Sequence, residues 1–177
     1  VGGTQNVLLA TALGDGVAEI ENAALEPEIA DLAELLNRMG ARIEGAGTPF
    51  IRVHGVDRLS GARFRPIPDR IEAGTYAMAA AVARGDVVIE RVRPTDLTLP
   101  LLKLRAIGVL VEEGASSLRV KADGLDAVDV VTLPYPGFPT DLQPQLMVLL
   151  TQAHGTSRCT ENVFESRFSF VRELERM

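Results

Sequence analysis

Hydrophobic positions along this chain change period on a recurring schedule. Residues 3–13 put Val7, Leu8, Leu9, Ala10, Ala12 and Leu13 on nearly every side of a helix, a pattern that asks for burial all round. Residues 17–22 follow with the alternation of a half-buried strand, Ala18-Glu19-Ile20-Glu21. Residues 26–39 return to helical spacing on one side only, through Ile29, Leu32, Ala33, Leu36 and Met39. Residues 41–44 and 51–55 then read as a hairpin around Gly45-Ala46-Gly47, with Pro49 marking the turn.

The same order returns twice. A second apolar helix is predicted over 69–84, a strand over 87–92, a helix over 95–107 with the stripe Pro100, Leu101, Leu104 and Ile107, and a hairpin through 109–120. A third pass gives a strand at 128–132, a helix over 139–153, a strand at 157–162 and a helix ending at Met177, striped by Phe170, Val171, Leu174 and Met177. Gly16, Gly85 and Gly155 each close an apolar helix and open a strand, so the repeating unit is roughly 70 residues long. A strand at 62–65 precedes the second copy's first helix, as 128–132 precedes the third's. The first and last copies are cut short, and the chain opens on Val1-Gly2-Gly3-Thr4 at a helix start, so it reads as a segment of a larger protein.

The fold class this pattern implies is α/β, with helices inside and sheets outside. A doubly wound sheet covered on both faces would want continuous apolar strands. Val87-Val88-Ile89 is such a run, but Ala18-Glu19-Ile20-Glu21 and Arg158-Cys159-Thr160-Glu161 are not. Pro66-Ile67-Pro68 is the candidate crossing between domains of residues 1–67 and 68–177, with a surface turn as the alternative.

Composition narrows the function classes. With 177 residues, 46% hydrophobic and 24% charged, the chain has material for a sizeable core. A net charge of -6 argues against a general nucleic-acid binder, which needs a clustered basic surface. No apolar run approaches the length of a membrane span. One cysteine, Cys159, excludes an internal disulfide and suits a reducing cytoplasm, and it reads as a core residue. His54 and His154 lie apart in sequence without metal-ligand spacing and read as structural.

Candidate chemistry gathers where the apolar helices begin. The repeat puts Val1-Gly2, Arg70-Ile71 and Thr140-Asp141 at equivalent helix starts, where unpaired amides and the dipole favour an anion. Gly2 and Gly3 would let a phosphate approach the backbone. Simple capping is the alternative at each start. In Phe138-Pro139-Thr140-Asp141-Leu142-Gln143, Asp141 is either a cap or a carboxylate available to a ligand hydroxyl as a general base. Val163-Phe164-Glu165-Ser166-Arg167-Phe168 opens the next predicted helix with Glu165 and Arg167 two residues apart, an exposed ion pair or part of a site. Asp69-Arg70-Ile71-Glu72 carries the same two readings.

These stretches also carry a resemblance. Val1-Gly2-Gly3-Thr4-Gln5-Asn6, Ile20-Glu21-Asn22-Ala23-Ala24, Glu26-Pro27-Glu28-Ile29, residues 68–75, residues 138–143 and Val163-Phe164-Glu165 together resemble the UDP-N-acetylglucosamine 1-carboxyvinyltransferase family of enolpyruvyl transferases, collinearly over the chain. The resemblance implies an inside-out α/β barrel fold built from repeated βαβαββ units. Residues 1–67 would be the last third of one domain and 68–177 about two-thirds of a second. It implies transfer of the enolpyruvyl group of phosphoenolpyruvate to the 3-hydroxyl of UDP-N-acetylglucosamine, the first committed step of peptidoglycan synthesis, on which cell shape and division depend. No cofactor, metal, nucleic acid or membrane is implied, and the setting is cytoplasmic.

Position by position, Val1 and Gly2 match the turn that binds the sugar-nucleotide diphosphate, and Asp141, with Thr140 beside it, matches the acid that contacts the sugar and acts as base. Val163 matches a backbone contact to the same substrate and Arg167 an active-site arginine, with Asp69, Arg70 and Glu165 in support. Gly3 stands where Ala is commoner, and Ser166 where Asn is usual. The family's Lys-Asn pair, its proton-donor loop with Cys or Asp, and its phosphoenolpyruvate-clamping arginines fall outside these residues, and Cys159 does not align with that cysteine. The expectation is that the rest of a parent chain is needed to complete the cleft, and that this polypeptide alone is inactive. Rival readings are the sister transferase that acts on shikimate 3-phosphate and a non-catalytic repeat module.

Overall fold

The computed structural model describes residues 1–177, which form two compact units, Val1–Ile67 and Pro68–Met177. The division falls at Pro66-Ile67-Pro68. No helix is long and apolar enough to cross a membrane.

In the first unit, α1 (Gly2–Ala12) leads to β1 (Val17–Glu21), α2 (Pro27–Arg38), β2 (Arg42–Glu44) and β3 (Phe50–His54). Pro27 presets the first turn of α2, while Glu28 and Arg38 match the dipole at opposite ends. Gly40, at φ +106°, takes the left-handed conformation that ends the helix. The Asn37 side chain then donates to the Ile43 carbonyl and accepts from its N–H, both at 2.8 Å, which docks β2 on the helix end. The three strands form an antiparallel sheet in the order β1-β3-β2. Alternation sends Ile43, Ile51 and Val53 inward against Leu8, Ile29, Ala33 and Leu36. Glu19 and Arg52 remain on the solvent face, paired at 2.6 Å.

The second unit runs α3 (Arg70–Val82), β4 (Asp86–Glu90), a 3₁₀ turn Pro94–Leu97, α4 (Thr98–Ala106), β5 (Leu110–Glu113) and β6 (Ser117–Lys121). It continues through β7 (Val130–Val131), a 3₁₀ turn Thr140–Leu142, α5 (Gln143–Leu150), β8 (Cys159–Thr160) and α6 (Val171–Leu174). Strands β4-β6-β5 repeat the antiparallel order of the first unit, and β7 pairs with β8 in parallel. Small residues Ala73, Gly74, Ala77, Ala80 and Ala81 line the buried side of α3. They let the turn before α5 come close: a Cβ on Gly74 would sit 2.6 Å from Leu142 Cδ1. Gln145 Nε2 donates across the same contact to Thr75 Oγ1 at 3.0 Å.

Four predicted features differ. Helix α1 is not buried all round: Leu8 and Ala12 are covered, while Val7, Leu9 and Leu13 are exposed, because this chain lays other elements on one face only. Residues 62–65 form no strand and run as irregular chain, without a ladder partner. Residues 163–168 are turns rather than the start of a helix, with Ser166 at φ +57° breaking helical geometry. The last helix shortens to Val171–Leu174 and buries none of its stripe, so it lacks the tertiary cover on which so short a helix depends.

Candidate functional site

Two helices of the second unit begin beside an acid, and the two acids do different work. Asp69 caps α3: its Oδ1 accepts from the N–H groups of Ile71 and Glu72 at 2.8 and 3.1 Å. Such a cap satisfies otherwise orphaned amides and contributes about 1 kcal/mol. Asp141 makes no cap. It lies inside the 3₁₀ turn Thr140–Leu142, where no side chain bonds the turn's amides. Its Oδ1 instead accepts from Arg167 Nη2 at 2.8 Å.

That pair sets the geometry of the site. The Arg167 side chain is 25% exposed and that of Asp141 60%. The guanidinium carbon lies 5.1 Å from the centre of the Phe164 ring, within cation–π range, so the arginine is braced from one side while it bonds the carboxylate on the other. Arg167 bonds only Oδ1, so Asp141 Oδ2 takes no hydrogen bond within the chain, and the side chain as a whole is exposed. An ion pair this exposed is worth about 1 kcal/mol or less. It aims the carboxylate, and an arriving hydroxyl can share it at little cost. An exposed pair between Glu165 and Arg167, one of the two readings of that stretch, is not formed, and Arg167 reaches across to the other loop.

Behind this pair stands a residue that sequence reading assigned only to a strand. Glu161 Oε1 accepts from Thr132 Oγ1 at 2.8 Å, Val163 N at 2.8 Å and Phe164 N at 2.9 Å, and Oε2 accepts from Thr140 Oγ1 at 2.9 Å. Burial pushes its carboxyl up, but the bonds from Thr132, Phe164, Val163 and Thr140 outweigh it and hold the group below the usual glutamate range. Thr140 is thereby occupied by Glu161 rather than by capping. Val163 has its N–H engaged by Glu161, which leaves its carbonyl as the backbone group open to a ligand. No local signal could have found Glu161, since its hydroxyl partners lie 29 and 21 residues away.

Arg70 is buried, its guanidinium 5.4 Å from the Tyr135 ring centre, and it lines with Asp96 and Pro139 a cavity of about 30 Å³ behind the Thr140 turn. Val1 and Gly2 belong to the first unit, at the start of α1. That start has no side-chain cap, and a Cβ at Gly2 or Gly3 would meet nothing within 4 Å, so the backbone there is open to approach. Thr4 does not cap it, its hydroxyl accepting instead from Ala24 N at 3.0 Å. Cys159 packs half-buried against the core, where burial, seconded by the charge of Asp129, pushes its thiol up and makes it a poor nucleophile.

The repeated helix–sheet architecture has counterparts among known proteins. Over residues 1–177 the chain matches the EPSP synthase (3-phosphoshikimate 1-carboxyvinyltransferase) family, and it belongs to that family of enolpyruvyl transferases. Its curated relatives include proteins named UDP-N-acetylglucosamine 1-carboxyvinyltransferase. That of Halothermothrix orenii is 55% identical over 100% of this chain and 43% of its own length, and one from Mesorhizobium japonicum is 54% identical over 100% and 42%. The crystal structure of the enolpyruvyl transferase NikO from Streptomyces tendae superposes with a TM-score of 0.86 at 28% identity, covering 98% of this chain and 42% of that one. The chain thus spans less than half the length of the curated relatives it matches.

Proposed function

We propose that this chain contributes the sugar-binding and base-bearing part of an enzyme that transfers the enolpyruvyl group of phosphoenolpyruvate to the 3-hydroxyl of UDP-N-acetylglucosamine. One observation carries the reading: the Asp141 carboxylate is left free by its own helix, aimed by Arg167 and open at Oδ2. The names of relatives at 54 and 55% identity supply the acceptor. In this reading Oδ2 accepts the proton of the 3-hydroxyl while the hydroxyl oxygen bonds to C2 of phosphoenolpyruvate and a proton reaches C3 from a donor outside this chain. Loss of phosphate and of a C3 proton then restores the double bond.

In the second unit the Val163 carbonyl contacts the amino sugar. In the first, Val1 and Gly2 at the uncapped start of α1 suit the negative charge of a diphosphate. Asp69 holds the start of α3 and Arg70 packs on Tyr135, and these two with Glu165 take supporting roles around the site. In this reading the C3 proton donor lies outside residues 1–177, which alone turn nothing over. The reaction is the first committed step of peptidoglycan synthesis, carried out in the cytoplasm.

The family description also names the shikimate-directed reaction, so the acceptor is the decisive variable. With the full-length protein, UDP-N-acetylglucosamine is expected to raise the melting temperature and to trigger phosphate release from phosphoenolpyruvate, and shikimate 3-phosphate to do neither. The reverse preference would replace this reading with the sister reaction. Binding of neither acceptor would favour a non-catalytic module.

A further inference from the structure

From the hydrogen bonds of Glu161 we infer that this residue positions the acceptor site, by clamping the Asp141 turn to the Val163–Arg167 loop. The inference rests on the functional reading above and adds a residue to it. The two loops that hold the site come from different parts of the chain, one entering α5 and the other leaving β8. Each must be fixed relative to the other for Asp141 and the Val163 carbonyl to meet one sugar. Glu161 does this with a single carboxylate. Oε2 takes Thr140, whose neighbour is Asp141, while Oε1 takes the amides of Val163 and Phe164, and Phe164 braces Arg167. Thr132 completes the clamp from β7's end: it donates to Oε1 and accepts from Asn162 N at 2.9 Å, and it is fully buried.

An ionised carboxylate suits this task because it only accepts, so both oxygens can be filled by donors at once. Glutamine keeps one carbonyl oxygen for the loop amides, and its NH₂ group can donate to the Thr140 hydroxyl after that hydroxyl rotates. Alanine keeps neither link. Glu161 touches no substrate in this account and acts through Thr140, Val163 and Phe164.

The test uses the full-length protein, with KM for each substrate, kcat and melting temperature measured for Glu161→Ala, Glu161→Gln and Thr140→Val. Misplacing reacting groups by about 1 Å can cost on the order of 100-fold, so Glu161→Ala is expected to lose roughly that in kcat/KM for UDP-N-acetylglucosamine. KM for phosphoenolpyruvate is expected to stay near the wild-type value, and Glu161→Gln to recover most of the loss. Thr140→Val, which cuts only the Oε2 link, is expected to fall between them with its melting temperature retained. Equal rises in both KM values tracking a lower melting temperature in all three variants would overturn the inference, leaving Glu161 a stabilising residue only. So would unchanged kinetics in Glu161→Ala. A wild-type protein that fails to use UDP-N-acetylglucosamine would instead overturn the functional reading on which the clamp rests.

Discussion

The starts of α3 and α5 hold an acid in each case, yet only one of those acids belongs to its helix. At α3 Asp69 bends back onto two amides and is used up there. At α5 a 3₁₀ turn precedes the helix, Asp141 sits one residue inside that turn, and its carboxylate leaves the helix for Arg167. Identical chemistry thus yields a cap in one place and a carboxylate not used by its own helix in the other. What differs is where the carboxylate sits relative to the first free amides, and whether a cation stands opposite. A cap is therefore to be recognised by its acceptor geometry, and a candidate base by its failure to cap.

The contrast can be broken most severely at Asp141. In the full-length protein Asp141→Asn keeps shape and the Arg167 contact but cannot take a proton, and a lost general base typically costs about 10²–10⁴ in rate, so steady-state kcat is expected to fall by that range. The next largest effect lies beneath the turn. Gly74→Ala drives a methyl toward Leu142, with 2.6 Å to Cδ1, 3.1 Å to Cδ2 and 3.4 Å to Cγ, so the whole fully buried side chain must shift. Overpacking of this kind costs about 1–3 kcal/mol, set against a gain of up to ~1 kcal/mol in helix propensity, and chemical denaturation should show a net loss.

A smaller effect follows pH. Glu161 titrates below its usual 4.5 in the folded chain, so the folded state binds fewer protons than the unfolded state in acid. The clamp's contribution is complete above the ordinary glutamate range and is lost as pH falls through the lowered value. Amide exchange at Val163 and Phe164 should accelerate there in wild type, and the acid dependence should vanish in Glu161→Gln. The smallest effect is expected on the outer sheet face, where Arg52→Ala breaks an exposed pair with Glu19 and should change stability by less than about 0.5 kcal/mol.

Much of this was legible in the residues. Period changes placed the helices and strands of the first two copies apart from the strand expected at 62–65, and the shared sheet orders β1-β3-β2 and β4-β6-β5 reflect the repetition visible in the glycines. Asp141 and Arg167 were each marked as candidates, but their partnership was not, since 26 residues separate them and Glu165 looked the nearer partner. Glu161 was read as one more polar strand position because its role depends on Thr132 and Thr140, which only folding brings near. The rule that an all-round apolar helix is buried failed for α1 because hydrophobicity states a demand for cover, and the elements of this chain meet it only at Leu8 and Ala12. The stripe ending at Met177 failed for the same reason.

The central claim is that α3 consumes its acid and α5 does not, and paired stability measurements address it most directly. Chemical denaturation of Asp69→Ala and Asp141→Ala in the full-length protein should give a loss of about 1 kcal/mol or more for the first and a smaller loss, below about 1 kcal/mol, for the second. Equal losses, or the larger loss at Asp141, would show that its carboxylate is bound up in holding the fold, and would contradict the account.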